Sequence, residues 1–328
     1  MAMNNLSKAT IIMYHYVRDI QNSKYPAIKG LDISDFEQQI KFLKKNYTFI
    51  SMEEFINSIE NGNKLPNKSV LLTFDDAYID HYEYVMPILM ENNVFGAFYP
   101  SIKAITHHIV LDVNKIHFIL ASVNDKKQIV KTIFKMLDSL RSEYNLEANE
   151  SYYKKFAKGN RFDSSDVVFI KKMLQVGLDE GLRKKIINVL FDAYVEIEET
   201  AFSKDLYMST DHLKEMIIKG MHIGSHGFDH YWLNSLDYSS QEIEIKRSID
   251  FLNFLGVDSE QYTICYPYGG YNENTIDILR KYNFKTAFTT KVDLASTSKE
   301  NRFEVPRLDT NDIPKKELAT PNEWYNKY

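Results

Sequence analysis

The chain has 328 residues, 44% of them hydrophobic and 26% charged, which is ample apolar material for a large core and close to ordinary globular usage. A formal net charge of -5 and a pI near 6.0 leave no basic footprint for nucleic acid or an anionic membrane surface. The single cysteine, Cys265, rules out an internal disulfide and a cysteine-held metal cluster.

In chain order, the N-terminus carries no basic stretch ahead of a long apolar run, so no signal peptide is expected. The expected location is cytoplasmic, although a leader already removed would leave the same chain. No window of about 18 apolar residues is found, so no transmembrane segment is expected. Short apolar runs predict strands at 10–15, 70–75, 94–99, 222–226, 262–267 and 284–289. Helix signals lie between them. Ser34-x-x-Glu37, Ser51-x-x-Glu54 and Ser239-x-x-Glu242 have capping-box spacing, and Gly62, Gly220 and Gly256 stand where C-terminal glycines belong. This alternation reads as βα units forming a parallel sheet or barrel. Residues 104–206 break it with helix after helix and no convincing strand, so they are read as a helical insertion between two barrel segments, 1–103 and 207–328.

Residues with chemical potential fall at the C-terminal ends of the predicted strands. They are His15 after ATIIMY, Asp75 and Asp76 after VLLTF, His226 after HIGS, and Pro267-Tyr268-Gly269 after YTICY. Loops at that rim of a (β/α) barrel converge on one cavity. Two adjacent carboxylates ending an apolar strand carry a desolvation cost that a bound cation would offset, whereas a helix cap would explain only one of them. His226 and His230 are four residues apart on a segment that Gly224 and Gly227 make a loop rather than a helix. Alone, such a pair also reads as surface or core histidines; with Asp76 it makes a plausible site for one divalent ion, zinc first among the candidates.

Thr73-Phe74-Asp75-Asp76, His226-x-x-x-His230 and Tyr266-Pro267-Tyr268-Gly269, in this order, resemble the motifs of the polysaccharide deacetylases, carbohydrate esterase family 4. The opening MYHYV and the stretch LPNKSVLLTFDDAY resemble the subgroup that includes poly-N-acetylglucosamine deacetylases. The resemblance implies a distorted (β/α) barrel and metal-dependent N-deacetylation of an amino sugar. It further implies Asp75 as general base, Asp76, His226 and His230 as metal ligands, and the Tyr268 backbone N–H as oxyanion donor. The family usually carries its acid histidine near the C-terminus, yet the last histidine here is His230. The subgroup places it on an N-terminal strand, where His15 stands. Ala77 departs from the usual glycine and Gly227 from the usual Ser or Thr. The arginine expected ahead of Pro267 is also absent; Arg307 is the candidate replacement that orients Asp75, although alone it reads as a surface ion pair.

The chemistry is coherent from the residues themselves, since a metal acidifies water and polarises an amide, a carboxylate takes the proton, and a histidine protonates the amine. The resemblance implies, as substrate, an N-acetylated carbohydrate in a surface glycan or its precursor. The alternatives are a catalytically inactive glycan-binding relative and a metal-dependent amidase acting on a non-sugar amide. An iron oxygenase fits the ligand types but not the adjacent second aspartate.

Overall fold

The computed structural model describes residues 6–160 and 163–328. They form two compact units. One comprises the residues up to Asp19, Gly30–Ile109 and Ser203–Tyr328, and the other Ile20–Lys29 and Val110–Phe202.

The first unit is a barrel, which can be followed strand by strand. Lys8–Tyr14 runs parallel to Ser69–Asp75 with Tyr14 opposite Phe74. Ser69–Asp75 pairs with Gly96–Tyr99, which pairs with His222–Ile223. The path continues through a single bridge from Ser225 to Ile264, the paired strands Thr263–Cys265 and Thr286–Phe288, and a single bridge from Phe288 to Val305. Leu308–Asp309 then lies beside Ile12 and Met13, and the circle closes with every link parallel.

The distortion has a visible cause. The first strand pairs with Leu308–Asp309 only in its second half; its first residues, Lys8 and Ala9, pair antiparallel with Ala295–Ser296. Likewise Thr48–Phe49 pairs with Ser69 and Val70, whereas Gly96–Tyr99 joins the same strand only from Leu72 onward. The wall is therefore complete around the C-terminal ends of the strands.

The Ser69–Asp75 strand is buried along its whole length, as a parallel strand covered on both faces must be. Its period of two sends Leu71, Thr73 and Asp75 to one face and Leu72 and Phe74 to the other. The Phe74 ring stacks between Tyr14 and Phe98, at 5.0 and 4.7 Å, and Phe36 of the Ile33–Asn46 helix meets Tyr14 edge-on at 5.3 Å. Leu71 joins a buried cluster with Ile11, Tyr99, Cys265 and Phe288.

All six predicted strands are present: Ser69–Asp75 encloses its predicted run, Lys8–Tyr14 is shifted towards the N-terminus, and the other four are shorter than predicted. Ser51 and Glu54 form the capping box that their spacing predicts. The other two boxes are corrected: Asp32 and Asp237 are the caps, accepting from the N–H groups of Ser34 and Ser240. A carboxylate two residues earlier outcompeted the serine for the first free amides. Gly62 and Gly256 are left-handed C-caps.

The second unit is helical. It contains Asp112–Ser122, Lys126–Tyr144, Asn149–Phe156, Ser165–Lys172 and Glu180–Tyr194, and no strand among its described residues. Phe202 centres its core, meeting Phe118 at 4.7 Å and Phe191 at 5.3 Å. Its limits differ from 104–206: residues up to Ile109 and from Ser203 belong to the barrel unit, where Ser203 Oγ donates to Ile109 O at 3.0 Å, and residues 20–29 join the helices instead. No helix among the described residues is long and apolar enough to cross a membrane.

Gly224 leaves no room for a side chain. Its N–H donates to Phe98 O, and a Cβ there would collide with the Tyr99 ring and with Thr263 Oγ1 on the two neighbouring strands. Gly224→Ala is expected to destabilise the protein by about 1–3 kcal/mol through overpacking, read as a lowered urea midpoint with unchanged slope.

Candidate metal centre and active site

The barrel register brings the site together. Because Tyr14 and Phe74 are opposite, the residues that follow, His15 and Asp75, reach the rim at the same level. Asp75 keeps the inward direction of Leu71 and Thr73. Asp76 and Ala77 then both adopt left-handed backbone, with φ of 72° and 54°, so the chain turns abruptly instead of extending the strand. Such a conformation costs about 1–2 kcal/mol per non-glycine residue. It is held by Asp76 N–H donating to Tyr99 O and by Met208 N–H donating to Ala77 O. This conformation is also the reason a glycine would suit position 77.

Asp76 is buried with His226 and His230, and one potential ligand atom from each lies within 4.8 Å of the others. Its Oδ2 accepts from the Tyr78 hydroxyl at 2.6 Å. Its Oδ1 has no hydrogen-bond partner and stands 3.5 Å from His226 Nε2 and 3.4 Å from His230 Nε2. His226 Nδ1 lies 2.8 Å from Cys265 O, and since a carbonyl can only accept, that nitrogen carries the proton and Nε2 is left with its lone pair. Burial pulls the His226 pKa down to about 4, which keeps the ring neutral. Burial works to raise the Asp76 pKa, but His230, His226 and His15 together hold it well below the usual carboxylate range. An orphaned carboxylate oxygen facing an imidazole lone pair in a buried pocket is satisfied by a cation, so the donor set fits a divalent metal. Neither aspartate caps a helix.

The histidine loop is held from behind. Gly227 and His230 are left-handed, at φ of 76° and 59°. The N–H groups of Phe228 and Asp229 both donate to Glu244 Oε2, at 3.2 and 2.9 Å, and Lys103 pairs with Asp229. His226 N–H donates to Pro100 O.

Asp75 meets Arg307 in a two-pronged pair inside the barrel. Nη1 donates to Oδ1 at 2.9 Å and Nη2 to Oδ2 at 2.8 Å. Nη1 also donates to Thr73 Oγ1 and Cys265 Sγ, and Nε to Thr289 O. Both side chains are 1% exposed or less, which replaces the reading of Arg307 as a surface ion pair. Burial alone would raise the Asp75 pKa; the Arg307 guanidinium, foremost, outweighs it and brings it to about 2.

Tyr268 is left-handed at φ 55°, with its ring stacked on Trp232 at 3.5 Å and meeting His230 edge-on at 4.7 Å. His15 is half-buried just beyond the first strand, close enough to lower the pKa of both aspartates. All seven candidates named from the sequence thus lie on the barrel unit. Tyr78 and Glu244 also serve the site but were not singled out for it. Only Tyr78, two residues beyond Asp76, carried a local signal.

With this geometry in view, known proteins supply a second line of evidence. A family profile described as polysaccharide deacetylase matches residues 179–287, a span holding His226, His230 and Tyr268. A putative polysaccharide deacetylase of Bacillus subtilis (strain 168), YxkH, is 28% identical over 102 residues, covering 31% of this chain and only 34% of that protein. The Streptococcus pyogenes deacetylase PplD, solved with acetate, shares the fold at a TM-score of 0.56 with 20% identity, over 96% of this chain and 98% of that one. IcaB from Ammonifex degensii does so at 0.54 with 17% identity, over 97% and 94%. A de-N-acetylase from Aggregatibacter actinomycetemcomitans does so at 0.51 with 14% identity, over 96% and 97%.

The ion pair generates a stability prediction. Arg307→Met leaves Asp75 buried without its partner and is expected to cost about 3–5 kcal/mol, measured by chemical denaturation. Asp75→Asn in the Arg307→Met background should recover part of that loss.

Proposed function

We propose that the chain is a polysaccharide deacetylase, as the family profile over residues 179–287 and the YxkH match support, and that it is a metal-dependent N-deacetylase hydrolysing the acetamide of an amino sugar in a surface glycan or its precursor. The observation that carries this reading is the pairing of two different aspartate environments on adjacent residues. Asp76 presents an unpartnered oxygen to two imidazoles, while Asp75 is clamped by Arg307.

Asp76, His226 and His230 would hold the ion, zinc by the chemistry of two imidazoles and one carboxylate. Bound there, zinc would supply Lewis acidity, acidifying water and polarising the acetamide carbonyl. Asp75 accepts the proton of the attacking water. With a pKa near 2 it is a weak base, so its value lies in the fixed orientation that Arg307 imposes. The backbone N–H of Tyr268 is assigned to the oxyanion, where one such donor is worth roughly 3–4 kcal/mol. His15 is assigned as the acid that protonates the departing amine. The intact Asp75–Arg307 clamp favours an active enzyme over an inactive glycan-binding relative, because an arginine from the far end of the chain restores the partner that the motif lacks.

Acetate release tests the activity, using a panel of N-acetylated amino sugars as polymer, lipid-linked and nucleotide-linked forms, and non-sugar acetamides, with zinc and with chelator. Zinc-dependent release from a sugar arm is expected. Sugar binding without release would point to the inactive relative, and release confined to the non-sugar arm to a general amidase.

Two predictions concern the residues. The protein is expected to hold about one equivalent of zinc by elemental analysis, lost in His226→Ala, His230→Ala and Asp76→Ala but kept in Asp75→Asn. Unchanged stoichiometry in all three would overturn the ligand set. His15→Ala is expected to lower kcat on the amide by about 10²–10⁴-fold with zinc retained. An acetate ester of a phenol, whose leaving group needs little protonation, should be far less sensitive. A parental rate on the amide would return His15 to a structural role.

A further inference from the structure

His81 is fully buried behind the site, surrounded by the rings of Phe74, Tyr78 and Phe98 at centroid distances of 5.4, 5.6 and 5.8 Å. A leucine would fill such a place without polar atoms to satisfy. Instead the imidazole Nε2 lies 2.7 Å from the backbone carbonyl of His15, and Nδ1 has no hydrogen-bond partner. The carbonyl can only accept, so Nε2 carries the proton and the bare Nδ1 is the acceptor left unsatisfied. Burial holds the His81 pKa down at about 4, consistent with this neutral form. A buried polar group left half satisfied is a penalty that its one hydrogen bond must justify.

The backbone around His81 departs from the ordinary in the same place. The turn His81–Val85 is π-helical, with the Met86 N–H reaching back to His81 O, before the chain resumes α-helix at Met86–Glu91. Such single π turns are rare and recur at functional sites. His81 follows the Asp76–Ala77 turn by a few residues, and its ring reaches across to the end of the neighbouring first strand. It thus links the segment carrying the metal carboxylate to the peptide carrying His15.

We propose that His81 is the positioning residue for His15: by donating Nε2–H to the His15 carbonyl, it fixes where the chain leaves the first strand and hence where the His15 ring stands. The consequence for rate rests on His15 being the acid, but the positional claim does not. A misplacement of about 1 Å in a reacting group can cost about 10²-fold in rate, which sets the size of the expected effect.

The test uses the full chain loaded with zinc and the amino-sugar acetamide that releases acetate. His81→Leu removes the donor at similar volume, whereas His81→Gln can place an amide N–H near the Nε2 position. His81→Leu should lower kcat by about 10–10²-fold with KM and zinc content unchanged, and His81→Gln should recover most of the loss. In the His15→Ala background, His81→Leu should change kcat by less than about twofold, since there is no acid left to misplace. Equal losses in both backgrounds would make His81 a core residue and overturn the proposal. The His15 ring resonance in histidine-labelled protein gives a readout independent of turnover. It should shift and broaden in His81→Leu and return in His81→Gln. An unchanged His15 resonance in His81→Leu overturns the proposal, whereas a shifted resonance with an undiminished His15→Ala rate sustains it and sinks only the acid assignment. Should His81→Leu fail to fold, His81→Asn carries the same comparison, because its shorter amide cannot reach the carbonyl that His81→Gln reaches.

Discussion

The pairing of Asp75 with Arg307 is the constraint around which the barrel is organised. Withdrawing both charges from water carries a penalty of several kcal/mol per ion, recovered only if the geometry is good and the remaining donors find partners. Here the guanidinium meets that condition by spanning the interior. It touches Thr73 and Asp75 on one strand, Cys265 on another, and the Thr289 carbonyl beyond a third. It is thus an internal strut as well as a counter-charge, and it sets the inward carboxylate in a single orientation.

That fixed carboxylate makes the division of labour between neighbours possible. Two adjacent aspartates on a regular strand would point to opposite faces, one of them away from the cavity. The left-handed backbone at Asp76 and Ala77 cancels this alternation and keeps both at the same mouth. The first is then matched to a cation of the protein itself, and the second is left with an oxygen that has no hydrogen-bond partner and faces two imidazole nitrogens. Environments that separate two like groups in this way are how one site assigns them different tasks.

The architecture was legible where it depends on local pattern. Six strands, the helical stretch and the rim residues His15, Asp75, Asp76, His226 and Tyr268 all follow from apolar runs and what ends them. What escaped depends on register between distant segments. Arg307 is reached as the partner of Asp75 only through the resemblance; its own surroundings read as a surface ion pair until Leu308–Asp309 is laid against Ile12 and Met13, a pairing nearly 300 residues apart that no local spacing announces. Glu244 stands close to Glu242 in the sequence with nothing to mark it out, and only the loop amides of Phe228 and Asp229 give it a role. Residues 20–29 look like a barrel loop yet pack with the helices, because their aromatic Tyr25 finds Phe118 and Phe202. Two of the three capping boxes failed for the opposite reason: a stronger local competitor, an aspartate two residues upstream, was present in plain view.

The wall of the barrel is unevenly sewn. Ser69–Asp75 is laddered on both sides, whereas the contacts from Ser225 to Ile264 and from Phe288 to Val305 are single bridges. Asp75 and Asp76 therefore stand on the stiff arc of the ring, and His226, His230 and Tyr268 on the loosely stitched arc. Backbone amides of the first arc should be the last to exchange with solvent, and those flanking the bridges among the first to open. An ion gripped from both arcs would act as a rivet across the seam, so the same coordination that prepares the chemistry would also stiffen the ring, and binding strength would be paid partly in the work of closing it.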